Sequence, residues 1–282
     1  MTAERYCGTE PILCAHLLRV VDGKLLELLH ALRPDEWELP TIAGRWKVRE
    51  VVAHLLDTAT RKLSLVRDGW VAEKAEIGSE ADLVALVNRL NSEGVAVYGR
   101  LSPTVMMGMM EMACAESAAF HEGLDPLARA VFAVSWAGEA ESLNWFDTAR
   151  ELTERWHHQQ QIRVATGRPG IETRELYYPV MDCFLRGLPH AYRIVQARVG
   201  TAVRVEVKGD CGGVWALVRG EDGWGFVAKH DGAFDCEVKI PQELAWRLFT
   251  KGVDRETARR EVIVEGERGL AEGIFGLTAI VG

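Results

Sequence analysis

The chain has 282 residues, enough for one large or two ordinary domains, and its 48% hydrophobic and 26% charged content is that of an ordinary globular protein. A formal net charge of -8 with no strong basic block argues against a general nucleic-acid binder, which needs a cationic footprint. No apolar run approaches the ~18 residues of a membrane span, Met1 to Glu10 lacks a signal-peptide pattern, and Cys7, Cys14, Cys114, Cys183, Cys211 and Cys236 are dispersed without a C-x-x-C pair, so a cytoplasmic protein with reduced thiols is expected.

The pattern predicts helices up to about residue 200 and short strands after it. A first helix is expected from Glu10 to Leu32, with Leu13, Leu17, Leu18, Val21, Leu25, Leu28 and Leu29 as its apolar stripe, ended by Pro34-Asp35-Glu36. Leu39 to Gly44 is a loop. A second helix runs from Trp46 to about Asp68 and a third from Ser79 to Arg100. Ser102-Pro103, a cap followed by proline at the first helical position, opens a fourth to Glu122. A fifth spans Ser142 to Thr166 and stops at Gly167-Arg168-Pro169-Gly170. A last stretch covers Tyr178 to Arg198, interrupted around Gly187 to Pro189.

Strands follow at Val203 to Val207, Val214 to Arg219, Trp224 to Ala228 and Cys236 to Ile240, with Gly220-Glu221-Asp222-Gly223 as a hairpin turn. Pro241 opens a helix to Lys251, Val262 to Val264 is a short strand, and Leu270 to Leu277 is a final helix. The division expected is 1–175, a helical domain; 176–200, a helical connector; and 201–282, a small α+β domain.

The fifth helix is unusual in its middle, where Arg150 to Arg163 has few apolar residues. Glu154 and His158 stand four apart, on one helix face. A carboxylate and an imidazole so placed can hold a divalent ion if a second helix supplies a third ligand, for which His54 is the candidate. Three protein ligands leave coordination positions open, as catalytic sites do. Spacing alone leaves a second reading open, a solvated polar face on a surface helix. Glu151, one turn before Glu154, is a substitute ligand. His157 is rotated by about 100° and cannot share Glu154's face as well.

Thr41-Ile42-Ala43-Gly44-Arg45-Trp46, followed by the helix that carries His54-Leu55, resembles the first signature of the DinB-like superfamily, and in particular the mycothiol-dependent maleylpyruvate isomerases. Glu154-x-x-x-His158-x-x-Gln161, running to Ala165-Thr166-Gly167, is similar to their second signature. The resemblance covers about residues 10 to 167. It implies a DinB-like four-helix bundle with His54, Glu154 and His158 as metal ligands and Gln161 as a residue supporting them, to which Glu151 is added by its position one turn before Glu154. The family usually carries Asp where Gln161 stands. Gln can hydrogen-bond but cannot act as a base at neutral pH, which puts chemistry depending on that acid in doubt. Val214 to Arg219, Trp224 and Ala245-Trp246-Arg247-Leu248 more loosely resemble the small α+β sterol-carrier-like domain that follows the bundle in those isomerases.

The resemblance implies a divalent-metal-dependent enzyme, with zinc as the expected ion and nickel, iron or manganese as alternatives. It would activate a low-molecular-weight thiol or water for addition to a small electrophilic substrate, as an isomerase, a thiol transferase or a hydrolase. Arg219 and Arg247 are candidates for binding a substrate carboxylate, and Trp46, Trp136 and Trp156 are candidates for the pocket wall. The partners expected are a small-molecule substrate, no nucleic acid and no membrane, in a monomer or homodimer. The competing reading is a non-catalytic metal- or small-ligand-binding protein that uses the sterol-carrier-like domain.

Overall fold

The computed structural model describes residues 5–280 of the chain, which divide into two compact units. One comprises Cys14–Val131 and Glu151–Ile171. The other comprises the chain up to Leu13, Phe132–Arg150 and Glu172–Ile280.

The first unit is built on α1 (Leu17–His30), α2 (Val48–Lys62), α3 (Glu80–Tyr98), α4 (Pro103–Glu122) and most of α5 (Asn144–Ala165). Its apolar core joins Leu25, Leu28 and Leu29 of α1, the face of α2 from Val48 to Ala59, Met106, Met110 and Ala113 of α4, and Ile162 of α5. These four helices make the expected bundle. α3 stands outside it, packed on α2, with only Gly94 buried. Thr60 Oγ1 meets the Tyr98 hydroxyl at 3.1 Å and Arg61 donates to Asn91 at 2.9 Å, which fixes α3 in place.

A Cβ added at Gly94 would lie 2.2 Å from Asp57 Cγ, and Asp57 is itself held by Arg61 at 3.1 Å. Alanine gains about 1 kcal/mol of helix propensity over glycine, but overpacking costs about 1–3 kcal/mol. Gly94→Ala is therefore expected to be destabilising, which a urea titration of the two proteins checks.

α1 begins at Leu17, not at Glu10, and Leu13 is 63% exposed. Pro34–Glu38 forms a 3-10 turn in place of a plain break. Its Glu36 accepts both Nη1 and Nη2 of Arg168, at 2.8 and 2.9 Å, and ties this turn to the chain just beyond α5. α2 ends in a single π turn, Leu63–Arg67.

In the second unit, α6 (Arg174–Leu185) starts four residues before the expected helix, and only short turns, α7 (Leu188–Ala191) and a 3-10 turn, follow it. A five-stranded mixed sheet has the order β3-β2-β1-β4-β5, with β1 Ala202–Lys208, β2 Gly213–Arg219, β3 Trp224–Phe226, β4 Cys236–Pro241 and β5 Ile263–Gly266. β1 runs parallel to β4, with Val203, Val205 and Val207 opposite Cys236, Val238 and Ile240. The other pairings are antiparallel. Alternation buries those valines and turns Arg204 and Glu206 outward, where they bond each other at 2.8 Å.

α8 (Gln242–Phe249) follows β4, and Phe249 meets Phe184 of α6 edge to face at 6.4 Å. Trp215 on β2 donates to the buried Asp182 of α6 at 2.7 Å. α9 (Arg255–Glu261), capped by Asp254 on Thr257 N at 2.9 Å, was not expected. The final helix is a 3-10 turn leading into α10 (Glu272–Gly276). The helical region followed by a small α+β domain is the architecture the sequence implied. Among the described residues, no helix is long and apolar enough to cross a membrane.

Candidate metal centre

The polar middle of α5 is not a solvated face. Glu151 to Thr153 and Arg155 to Ile162 are all buried. Most of their polar groups find partners, as burial favours. Gln159 donates to Val21 O at 2.9 Å and accepts from Arg163 at 3.0 and 3.1 Å, and Gln160 accepts from Ile171 N at 2.9 Å.

The loop before α2 sets the opposite wall. The Thr41 hydroxyl donates to Trp46 O at 2.7 Å and accepts from Ala43 N at 3.1 Å, while Gly44 takes a left-handed φ of 62°. This turn is folded by the same Thr-to-Trp stretch that carries the resemblance. It delivers Trp46 half-buried against the site, its ring 4.8 Å from that of His54 and 6.2 Å from that of His158. Glu50 Oε2 then accepts Lys47 N at 2.8 Å, capping α2, and His54 follows one turn further on.

Glu154 Oε1 lies 2.8 Å from His54 Nε2 and 3.2 Å from His158 Nε2. The ligand atoms of His54, Glu154 and His158 all fall within 4.8 Å of one another, the one such group of three among the described residues. Both histidines are buried, whereas 28% of the Glu154 side chain is exposed, so the triad opens on the carboxylate side. Burial alone would raise Glu154, but the imidazoles of His158 and His54 outweigh it and hold the carboxyl well below its ordinary range. His54 is pushed down by burial, against its bond to Glu154.

His158 Nδ1 stands 2.7 Å from Gln161 Oε1. With Nδ1–H donating there, Nε2 is aimed at the carboxylate oxygen, and a metal cation can take the place of the proton between them. A nitrogen, nitrogen, oxygen donor set with one side open suits a divalent ion of the zinc type. The residues present therefore fit a metal. Gln161 is placed as a partner that would fix the ring and tautomer of such a ligand, and loss of such partners costs about 10–100-fold in affinity. Gln161→Ala is expected to weaken zinc binding by about that factor, measured by competition with a chelator.

His157, although adjacent in sequence, turns away. Its Nδ1–H donates to Thr153 O at 2.8 Å, and burial, then the charge of His158, pushes it down to about 3. Glu151 engages Lys62 Nζ at 3.1 Å and stands 3.9 Å from Arg155 Nη2. Trp156 is core, its indole donating to Ile171 O at 3.3 Å. Trp136, in the other unit, packs edge to face on Phe146 at 5.9 Å. Arg219 bonds the carbonyls of Gly220 and Glu221 in its own hairpin, and Arg247 lies over the Trp246 ring at 5.4 Å.

Sequence reasoning missed a buried ionic group beside the triad. Arg155 Nε lies 3.3 Å from Asp22 Oδ1, and its Nη2 donates to Ser117 Oγ at 2.7 Å. Asp22, Lys62, Glu151 and Arg155 are all at most 9% exposed. The available signal was an acid set among Leu18, Val21 and Leu25 in the apolar stripe of α1.

The family model described as the mycothiol maleylpyruvate isomerase N-terminal domain matches residues 18–163, more than half of the chain. The chain belongs to this family. The match spans both halves of the triad. Among solved structures, the mycothiol-dependent maleylpyruvate isomerase and a mutant of it are 13% and 12% identical to the chain. Each aligns over 90% of this chain and 92% of its own, at a TM-score of 0.55. At that identity the likeness establishes a shared fold, which extends beyond the bundle into the α+β tail. A UbiJ-SCP2 ubiquinone synthesis protein, 23% identical, covers 27% of this chain and 67% of its own at a TM-score of 0.22, too slight a likeness to characterise the tail. No curated protein sequence matches the chain.

Proposed function

We propose that the chain is a divalent-metal-dependent enzyme of the maleylpyruvate isomerase type, which activates a low-molecular-weight thiol or water for addition to a small electrophilic substrate. The observation that carries this reading is the convergence of His54 Nε2 and His158 Nε2 on one oxygen of Glu154. His54, Glu154 and His158 hold the ion, taken to be zinc, and its role is to lower the pKa of a thiol or water at the open positions, making a nucleophile at neutral pH.

The chain's own residues shape the rest. Gln161 orients His158 and Trp46 walls the ligand imidazoles. The exposed side of Glu154 marks the approach for a cosubstrate. Gln161 accepts a hydrogen bond but takes no proton at neutral pH, so no base is assigned to it. Family membership supports a thiol-dependent isomerase or transferase over a hydrolase.

The test is turnover of small unsaturated acids in the presence of small thiols by the zinc-loaded protein. Activity should vanish with a chelator and return with zinc. Turnover that persists through chelation would overturn the metal reading, and turnover with water alone would favour the hydrolase.

A further inference from the structure

A small cavity inside the bundle shares a wall with the triad. Glu154 lines it, together with Asp22 of α1, Thr58 of α2, Cys114 of α4, and Glu151 and Arg155 of α5. Its free space suits about one water molecule. The polar atoms there call for one. Neither carboxylate oxygen of Asp22 has a hydrogen-bond partner of good geometry, nor has Arg155 Nη1, and Asp22 and Arg155 are 4% and 5% exposed. Arg155 Nε approaches Asp22 Oδ1 at 3.3 Å, and the hydrogen-bonding capacity left over in such buried groups is ordinarily met by ordered water.

Several polar atoms around the triad are already engaged. His158 Nδ1 is committed to Gln161 and His157 Nδ1 to Thr153 O. Across the cavity, Glu151 is paired with Lys62. Asp22 remains. Its charged and titratable neighbours are Arg155 and Glu151 from α5, Cys114 from α4 and Arg19 from its own helix. Burial pushes it up to about 6, opposed by Arg155 and the Cys114 thiol and assisted by Glu151, which makes it a carboxylate able to accept and return a proton near neutrality.

We propose that Asp22, reached from the triad through a single water in this cavity, holds the proton released when a thiol is activated. The step balances without a further reactant. The thiol S–H bond breaks and sulfur keeps the electron pair. The cavity water takes that proton and passes one of its own to an Asp22 oxygen, leaving a neutral carboxylic acid that returns it later. This inference rests on the metal reading above.

The test uses the full chain loaded with cobalt(II) in lightly buffered solution at neutral pH, above the range in which Asp22 takes its proton. 2-Mercaptoethanol is added while thiolate-to-cobalt absorption, the infrared band of protonated carboxyl groups and proton release to an indicator are recorded. Metal content is measured on the same samples. In the wild type the carboxyl band should grow as the thiolate absorption appears, with little proton release. In Asp22→Asn that growth should be absent and the proton should enter the medium. A thiolate signal with an unmoved carboxyl band in the wild type overturns the relay alone, whether or not the variant folds. Failure to retain cobalt, or to form the thiolate, overturns the metal reading and the relay with it.

Discussion

Substitution of His158 by alanine is expected to remove nearly all bound metal, whereas the same change at its neighbour His157 should leave close to one ion per chain. The two side chains differ in direction, not in burial. His158 Nε2 stands 3.2 Å from Glu154 Oε1, while His157 spends its Nδ1–H on Thr153 O and packs its ring 4.0 Å from that of His158. Loss of a partner to a ligand already costs about 10–100-fold in affinity, so loss of the ligand itself should exceed the upper end of that range.

His157→Ala should instead cost stability, because a fully buried ring leaves a cavity. Elemental analysis of the purified proteins separates the two outcomes, and unfolding with and without zinc gives a second reading. A ligand present at 100 times its dissociation constant adds about 2.7 kcal/mol to the folded state. That increment should appear in the wild type and in His157→Ala and vanish in His158→Ala. The reverse pattern, with His157 required and His158 dispensable, would show that the two faces of α5 have been assigned the wrong way round.

What was legible in the sequence follows from how local each signal is. Glu154 and His158 are one helical turn apart, so their common face needs only helix geometry. The Thr41-to-Trp46 stretch is a local turn closed by one hydroxyl, and its function as a platform for Trp46 is likewise local. β1 and β4 were visible because inward and outward residues alternate, and the hairpin of β2 and β3 because Gly220 to Gly223 punctuates it.

The burial of α5 was not legible. A run such as Arg155-Trp156-His157-His158-Gln159-Gln160-Gln161 has the composition of a surface helix, and only partners from distant segments make it an interior one. Val21 O, Ile171 N and Ser117 Oγ lie 138, 11 and 38 residues from the groups they match. Asp22 stood in an apolar stripe and was passed over for the same reason, since its counter-charge Arg155 is on another helix. α3 shows the converse. Its Leu83, Val84, Leu86, Val87 and Leu90 look fit for a core, yet the bundle closes without them and only Gly94 is buried. Periodicity identifies a helix but not which helices meet. α9 escaped because Arg255-Glu256-Thr257-Ala258-Arg259-Arg260-Glu261 offers a single buried residue, Ala258, to any core.

The second large effect is expected at Arg155. Its guanidinium lies between Asp22 and Glu151 and also serves Ser117, in a setting where all four residues are at most 9% exposed. Removing one partner of a buried ionic group leaves uncompensated charge and costs about 3–5 kcal/mol. Arg155→Met keeps most of the volume, so the loss should come from charge and not from a cavity. It should therefore be relieved by neutralising the acids, and Asp22→Leu added to Arg155→Met should recover part of it, since apolar replacement of a whole buried ionic group is often neutral or better.

The sign of the pH dependence follows from Asp22. Its folded value of about 6 lies above the ordinary 3.8, so the folded state binds the proton more tightly than the unfolded state. The cost of ionising it is fully present above about pH 6 and disappears as the pH falls toward the unfolded value. Without Arg155 that folded value rises further. The deficit of Arg155→Met relative to wild type, measured by urea unfolding of metal-free protein, should thus be largest at neutral pH and narrow near pH 5. A deficit unchanged by pH and by Asp22→Leu would mean that Arg155 acts by packing its stem against the bundle, and that the buried charges of α1 and α5 do not sense each other.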